Sequence, residues 1–439
     1  MEFEKSFLIE LGVFHEEYGV FNFLNTCITS EGAQLLKSWI KKPFSNDSDI
    51  LNRQNIIKFW TNYSQDLDFP YFTNGSMVMV TDFLKNQEDY NLKPSTFNLS
   101  IIQFLQRIFK KSSSNYISFH FEYIHSLFKA LNKIYSIAQS SDIDNPIWNT
   151  WFNSLENIHN SVLFQKCLSY NNESKAIDKA KFLYFLKKDG SYLLEEGMFL
   201  FSTFDAWLSL ARLSINNKWC FPQVQNQEDS YLNLEEFYFP SIKDPIPFNL
   251  KMDKSKHLLL LTGANMSGKS TLLRSIGLFY ILAQMGSPVP AKNASFTPVS
   301  GIYSNLSVKD NIHKGESYFY AEVLRMKQMA EKMIGDCAYL FLMDELFKGT
   351  NIQDASICTE IILKELHRFP QHLFLLSTHI YELAEKYASH NFVLPLYMET
   401  VFKDEMNYFF THQLKYGVSK DKIGAMILKN EGVLKILKS

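Results

Sequence analysis

The sequence predicts a two-part fold, all-α over residues 1–235 and α/β over residues 236–439. Three observations carry that prediction. In the first part apolar residues recur at three- and four-residue steps, as at Ile117, Phe121, Ile124, Phe128, Leu131 and Tyr135, the spacing that lines one face of a helix. Beyond about residue 240, short apolar runs alternate with helical stretches, the rhythm of a sheet covered on both faces. The length, 439 residues, fits two to three domains at roughly 150 residues each.

The elements follow in order. Helices are predicted over 28–42, 48–60, 97–110, 116–140, 174–187 and 190–216. Pro43 stops the first, because its φ is fixed and its N–H is missing. Asn46, Asp47, Ser48 and Asp49 offer caps for the second. Polar clusters at 112–115 and 140–146 read as turns. His257–Leu261 reads as a buried strand running into a loop at Gly263, with a helix from Lys269 to about Met285. Val289 to Leu306 alternates like strands and turns around Pro288, Pro290 and Pro298. A helix over 316–334, a strand at Tyr339–Met343, a helix near 353–367 and a strand at Leu373–Ser377 complete the pattern.

Composition excludes several classes. Apolar residues are 46% and charged residues 21%, so the chain is not globally disordered. The net charge of −2 argues against a polybasic nucleic-acid wrapper, although not against a local basic groove. The five cysteines, at 27, 167, 220, 337 and 358, form no C-x-x-C pair and no zinc spacing. Scattered thiols suit a reducing compartment. The N-terminus lacks the layout of a signal peptide. The apolar run Ile276–Met285 spans about ten residues where a membrane crossing needs ~20. The expectation is a cytoplasmic protein with no membrane partner.

The chemistry begins at Gly263-Ala-Asn-Met-Ser-Gly-Lys-Ser270, which fits G-x-x-x-x-G-K-[ST] between a strand and a helix. Such glycines let successive N–H groups face a phosphate, and the helix N-terminus adds positive potential. Gly263, Ala264, Asn265, Met266, Ser267, Gly268, Lys269, Ser270 and Thr271 are the expected nucleotide-binding residues. Lys269 would reach the β- and γ-phosphates, and Ser270 would offer its hydroxyl to Mg²⁺. Asp344, at the end of a second apolar strand, is placed for the Mg²⁺ shell. Glu345 is placed to orient and deprotonate the attacking water. His379, just past a third strand, can touch the γ-phosphate or that water. ATP and Mg²⁺ are thus the expected cofactors.

These segments resemble the MutS family. Thr262 to Thr271 is similar to its Walker A, with Asn265-Met266 as hallmark, and Ala283 to Ala291 to the segment after the loop helix. Gly315-Glu-Ser-Tyr-Phe-Tyr-Ala-Glu322 resembles the signature, and Met343 to Asn351, with Asp354 beyond, resembles Walker B and the D-loop. Thr378-His379 matches the switch histidine. In the N-terminal half, Phe21–Asn25, Thr29–Gly32, Leu35–Ile40, Pro43 and Arg53-Gln54 are similar to the start of the core, or lever, domain. Trp219–Pro222 and Tyr231–Pro240 resemble the lead-in to the ATPase domain.

The resemblance implies a helical lever followed by an ABC-type P-loop ATPase with a mixed sheet. It also implies an ATP-bound homodimer in which Ser317 contacts, in trans, the γ-phosphate held by the partner copy, with DNA as the macromolecular ligand. Departures sharpen the expectation. The chain starts at the lever, with no room for a mismatch-recognition domain, and Phe3-Glu4 is not in the context of the mismatch wedge, so the chain is not expected to read mismatches by itself. No β clamp insert is evident in 141–189. Glu316 stands where repair enzymes usually carry Arg. Phe239-Pro240 stands for a His-Pro pair, and the adenine-stacking aromatic is open between Phe248 and Tyr238. The helix-turn-helix clasp is not expected. Lys37, Lys41, Lys42, Lys110 and Lys111 are candidates for phosphate contact, against the plainer reading of a solvated face.

Two competing functions differ in class. One is an ATPase acting on DNA; the other is a nucleotide-gated scaffold for a protein partner, with slow or no hydrolysis. A transporter- or chromosome-type ATPase would carry Leu-Ser-Gly-Gly-Gln, which is absent. A small-molecule kinase would carry a substrate lid.

Overall fold

The computed structural model describes residues 1–3, 5–65, 72–85, 113–171, 174–225, 229–306, 318–403, 407–421, 426–428 and 436–437. The predicted helix over 97–110, and with it Lys110 and Lys111, lies outside them, as do Glu316 and Ser317. The fold is mixed α and β. The chain divides into two units: Met1–Leu24, Trp39–Gln54 and Leu213–Ser439 form one, and Asn25–Ser38 with Asn55–Arg212 form the other. The single cut expected at 235/236 therefore differs from the observed division, because early segments build into the later unit.

The second unit is helical. Helices at Asn74–Lys85, Ser113–Ala138, Pro146–His159, Val162–Leu168 and Ala176–Asp189 pack with most of Ser191–Asn216. The apolar stripe of the sequence becomes the core: Phe121, Ile124, Phe128 and Leu131 are buried. Trp60, Trp148, Trp151, Phe204 and Trp207 join in edge-on and tilted pairs, a geometry that ring quadrupoles favour.

Ser191–Asn216 corrects one expectation. By length and composition it is apolar enough to cross a membrane, unlike Ile276–Met285, and it is mostly buried. Its Asp205 shows why it suits a protein core. The carboxylate is fully buried and accepts from Ile28 N at 2.9 Å, Thr29 N at 2.9 Å and Thr29 Oγ1 at 2.8 Å. It thereby satisfies amides of the turn that leads into the helix Ser30–Lys41. Gly32 admits it, since a Cβ there would lie 2.6 Å from Asp205 Oδ2.

The first unit carries two sheets. The strands are β1 (Glu2–Phe3), β2 (Gln223–Val224), β3 (Leu232–Phe237), β4 (Phe248–Met252), β5 (Leu258–Thr262), β6 (Asn293–Phe296), β7 (Gly301–Asn305), β8 (Tyr339–Asp344), β9 (Leu373–Ser377), β10 (Val393–Phe402) and β11 (Tyr408–Tyr416). The seven-stranded sheet runs β1-β7-β8-β9-β5-β10-β11, and the four-stranded sheet β2-β6-β3-β4. The larger is parallel except for the antiparallel pair β10–β11, so the sheet is mixed. β5, β8 and β9 are the apolar runs of the sequence, and β5 and β9 are buried along their whole length. Their register aligns Leu261 with Ser377 and Ser377 with Asp344, which brings three strand ends level.

Arg53 ties an early segment into this unit. It is buried between the rings of Trp39 and Phe44, at 4.1 and 4.2 Å, and donates to Met285 O at 3.1 Å. Burial draws its guanidinium down to about 9, against the opposing charge of Asp49. Gln284 Nε2 donates to Phe44 O at 2.8 Å and Val299 O at 2.9 Å. The helix Lys269–Gln284 is thus held at its C-terminal end by main-chain and side-chain groups from residues 44–53.

Candidate nucleotide site

The site is built on the carboxyl ends of β5, β8 and β9, the place where open α/β sheets present their loops to ligands. Between β5 and the helix Lys269–Gln284 the chain turns at Gly263, φ +137°, and Gly268, φ +111°. Both positions need glycine, because an L side chain at such φ meets its own backbone. A Cβ at Gly263 would also lie 3.1 Å from Met398 O. Met266 takes a left-handed φ of +67° without being glycine and is exposed, as is Asn265. Ser267 Oγ donates to Ala264 O at 2.8 Å, closing the turn.

Lys269 is the first residue of the helix and is buried. Its ammonium donates to Gly263 O at 2.9 Å and Ala264 O at 3.0 Å, and lies 3.5 Å from His379 Nε2. Burial lowers its pKa, while Glu345 and Asp344 act the other way. Ser270 Oγ donates to Asp344 Oδ2 at 2.6 Å, and Ser377 Oγ donates to the other oxygen of Asp344. A hydroxyl facing one carboxylate makes an all-oxygen set. That suits Mg²⁺, which is held by one or two carboxylates plus water and phosphate oxygens. Among the described residues no cluster of three His, Cys, Asp or Glu is placed to hold a metal.

Glu345 turns out of β8 at a left-handed φ of +58°, and Phe347 follows at +63°. For side chains other than glycine each such residue costs about 1–3 kcal/mol. The Glu345 carboxylate is paired with His379 Nε2, and Lys348 Nζ stands 3.3 Å from its other oxygen. Burial pushes its carboxyl up, but the His379 hydrogen bond and charge, with Lys348 and Lys269, outweigh it and draw it down to about 2. Glu345 N donates to Ser377 O at 3.1 Å, fixing the turn against β9. Thr378 N donates to Leu261 O at 2.9 Å, which places His379 directly beyond the sheet.

The structure therefore brings together Lys269, Ser270, Asp344, Glu345 and His379. It leaves Asn265 and Met266 at the solvent-facing tip. Thr271 faces a neighbouring cavity of about 310 Å³, lined also by Phe239, Phe248, Gly268, Met398 and His412. Phe248 is in this lining. Tyr238 is engaged elsewhere, its hydroxyl accepting from Trp219 Nε1 at 2.9 Å.

Two groups around the loop escaped the sequence reading. His412 Nδ1 donates to Ser267 O at 2.9 Å, and Met398 packs against Gly263 and Gly268. Both belong to the β10–β11 hairpin. The aromatic and polar alternation of Tyr408–Tyr416 was the available signal. Glu322, the last residue of the signature-like segment in the sequence, is buried beneath the turn after β8.

Residues 259–437 match the family model described as MutS domain V. The DNA mismatch repair protein MutS of Persephonella marina is 30% identical over 234 residues, 52% of this chain and 26% of that protein. MutS of Desulfovibrio desulfuricans is 32% identical over 192 residues, 42% of this chain and 20% of that protein. The DNA mismatch repair protein MSH6 of Saccharomyces cerevisiae is 30% identical over 254 residues, 53% of this chain and 20% of that protein. The alignments thus span about a quarter or less of these relatives' own length. The domain V match over residues 259–437 and relatives bearing mismatch-repair names across about half of its residues make this chain similar to proteins of the MutS family.

Proposed function

We infer that this chain binds ATP with Mg²⁺, hydrolyses it, and couples that cycle to DNA in a role related to mismatch repair. The observation that carries the reading is the convergence of Lys269, Ser270, Asp344, Glu345 and His379 at three level strand ends. In this reading the loop from Gly263 to Gly268 is a P-loop. Its amides and Lys269 hold the phosphates. Ser270 and Asp344 hold Mg²⁺, which when bound neutralises phosphate charge. Glu345 orients the attacking water and accepts a hydrogen bond from it, while His379 fixes the carboxylate's direction. The 310 Å³ cavity beside Gly268 and Thr271 is of a size to take the nucleoside, with Phe248 and His412 offering ring faces.

The same reading assigns ATP-driven pairing of two copies, with Ser317 acting in trans, a lever role for the helical unit, and a cytoplasmic location. It assigns no mismatch-reading role to any described residue. The pairing of Glu345 with His379 and Lys348 favours the slower, scaffold-like alternative. A carboxyl drawn to about 2 is a weak proton acceptor at neutral pH, so hydrolysis by Glu345 relies on orientation.

The deciding experiment measures ATP turnover of wild type and Glu345→Gln, alone and with homoduplex, mismatched and branched DNA. The inference expects turnover that falls in Glu345→Gln and responds to at least one DNA. Turnover indifferent to all DNA, with no retention on DNA at moderate salt, removes the DNA part. Turnover equal in the two proteins removes the role of Glu345.

A further inference from the structure

The turn that follows β8 is held by a carboxylate from outside the strand. Glu322 lies on the helix Tyr318–Met333 and is only 2% exposed. Its Oε1 accepts from Lys348 N at 3.2 Å and its Oε2 from Gly349 N at 3.0 Å. Burial raises its pKa, and the two amides act in the opposite direction. A buried acid is retained where its oxygens are satisfied, and here both serve one short turn.

That turn opens with Glu345. Its left-handed residues, Glu345 and Phe347, persist only where neighbours over-determine them. Glu322 supplies two such constraints, and Phe319 of the same helix adds a ring contact with Phe347, 5.9 Å between centroids. Lys348, whose amide the clamp fixes, reaches back to the Glu345 carboxylate at 3.3 Å. The bonds from Glu322 thus go to the backbone that aims Glu345, while phosphate-loop contacts are made by other residues.

We propose that Glu322 is a positioning residue for hydrolysis, a clamp on the Lys348 and Gly349 amides that holds Glu345 facing Lys269 and His379. The proposal rests on the ATPase reading above. It places the effect of losing Glu322 on kcat and spares nucleotide affinity.

The test uses the full chain with Glu322→Ala, Glu322→Gln, Glu345→Gln and the double variant Glu322→Ala/Glu345→Gln. Turnover, binding of a fluorescent ATP analogue, thermal melting and amide exchange at Lys348 and Gly349 are measured. Glu322→Ala is expected to lower kcat about ten- to a hundredfold, with analogue affinity within about threefold. It speeds exchange at Lys348 and Gly349 and adds little to the loss in Glu345→Gln. Glu322→Gln, which keeps one acceptor oxygen, falls between and carries the test where the alanine variant does not fold. A folded variant with wild-type kcat, or a loss that multiplies fully onto Glu345→Gln, overturns the clamp. Wild-type turnover no higher than that of Glu345→Gln instead overturns the ATPase reading, and with it any positioning for hydrolysis.

Discussion

Glu345 and His379 are paired across neighbouring strand ends, the carboxylate just past β8 and the imidazole just past β9. The Asp344–Ser377 register sets that pairing. Its electrostatic consequence is a carboxyl drawn to about 2, below an ordinary value of 4.5. A group depressed on folding contributes stability that is full above the unfolded value and lost as pH falls through the folded one. Glu345 therefore keeps its charge from pH 5 to 8, and Glu345→Gln lowers turnover by the same factor at both ends of that range. His379→Asn leaves burial as the largest influence on Glu345, so its titration moves up and turnover gains an acid limb. Carboxyl NMR titration and kcat against pH check this; an unmoved Glu345 titration in His379→Asn refutes it.

The Ser270–Asp344 hydrogen bond predicts a split between metal and nucleotide effects. Ser270→Ala removes a hydroxyl from the oxygen set and leaves Lys269 with the loop carbonyls. The expected result is a higher Mg²⁺ concentration for half-maximal turnover, by about tenfold or more, with metal-free nucleotide binding little changed. Titration of turnover with Mg²⁺, beside analogue binding in chelator, measures both.

Asp205 predicts a stability loss in the helical unit. Asp205→Ala strands the half-buried Ile28 amide, the buried Thr29 amide and the Thr29 hydroxyl, a cost of about 2–4 kcal/mol. Asp205→Asn keeps one oxygen acceptor and costs less. Denaturant unfolding, with the midpoints of both variants compared, ranks them; equal losses contradict the anchoring of the Ile28–Thr29 turn by Asp205.

Arg53 separates packing from charge. Arg53→Ala removes the group between Trp39 and Phe44 together with the donor to Met285 O, a cost of about 2–4 kcal/mol. Arg53→Lys recovers little of this, because an ammonium lacks the flat face that stacks on both rings. Thermal melting decides the order, and a lysine variant as stable as wild type counts against the stacking account.

Much of the candidate site was legible because its information is local. The glycine positions, Lys269 and Ser270 sit within one loop, and β5, β8 and β9 are contiguous apolar runs whose ends carry Asp344, Glu345 and His379. Among the described residues the predicted helices have bounds within a few residues of those observed, with Asn46 Oδ1 accepting Asp49 N at 2.8 Å where a cap was expected. What escaped is long-range. β10 joins β5 by pairing Val393 with Leu258, and nothing in its own alternation names that partner. β1 is two residues long, too short for any period. Asp205 and Glu322 are single acids whose amide partners arrive from other parts of the chain. A helical pattern records only that such positions are tolerated.

The interleaving of the units bears on how the chain folds. The site-bearing unit draws on residues 1–24, 39–54 and 213–439, and β1 must find β7 some three hundred residues later. During synthesis at roughly 5–20 residues per second, the helical unit, residues 25–38 and 55–212, has been made before β5, and the large sheet lacks a member until β11 follows. The early segments wait meanwhile with apolar groups such as Phe7, Trp39 and Phe44 unsheltered. Pairing so distant in sequence is slow, so the site-bearing unit is the last to mature and the one most in need of protection against premature association.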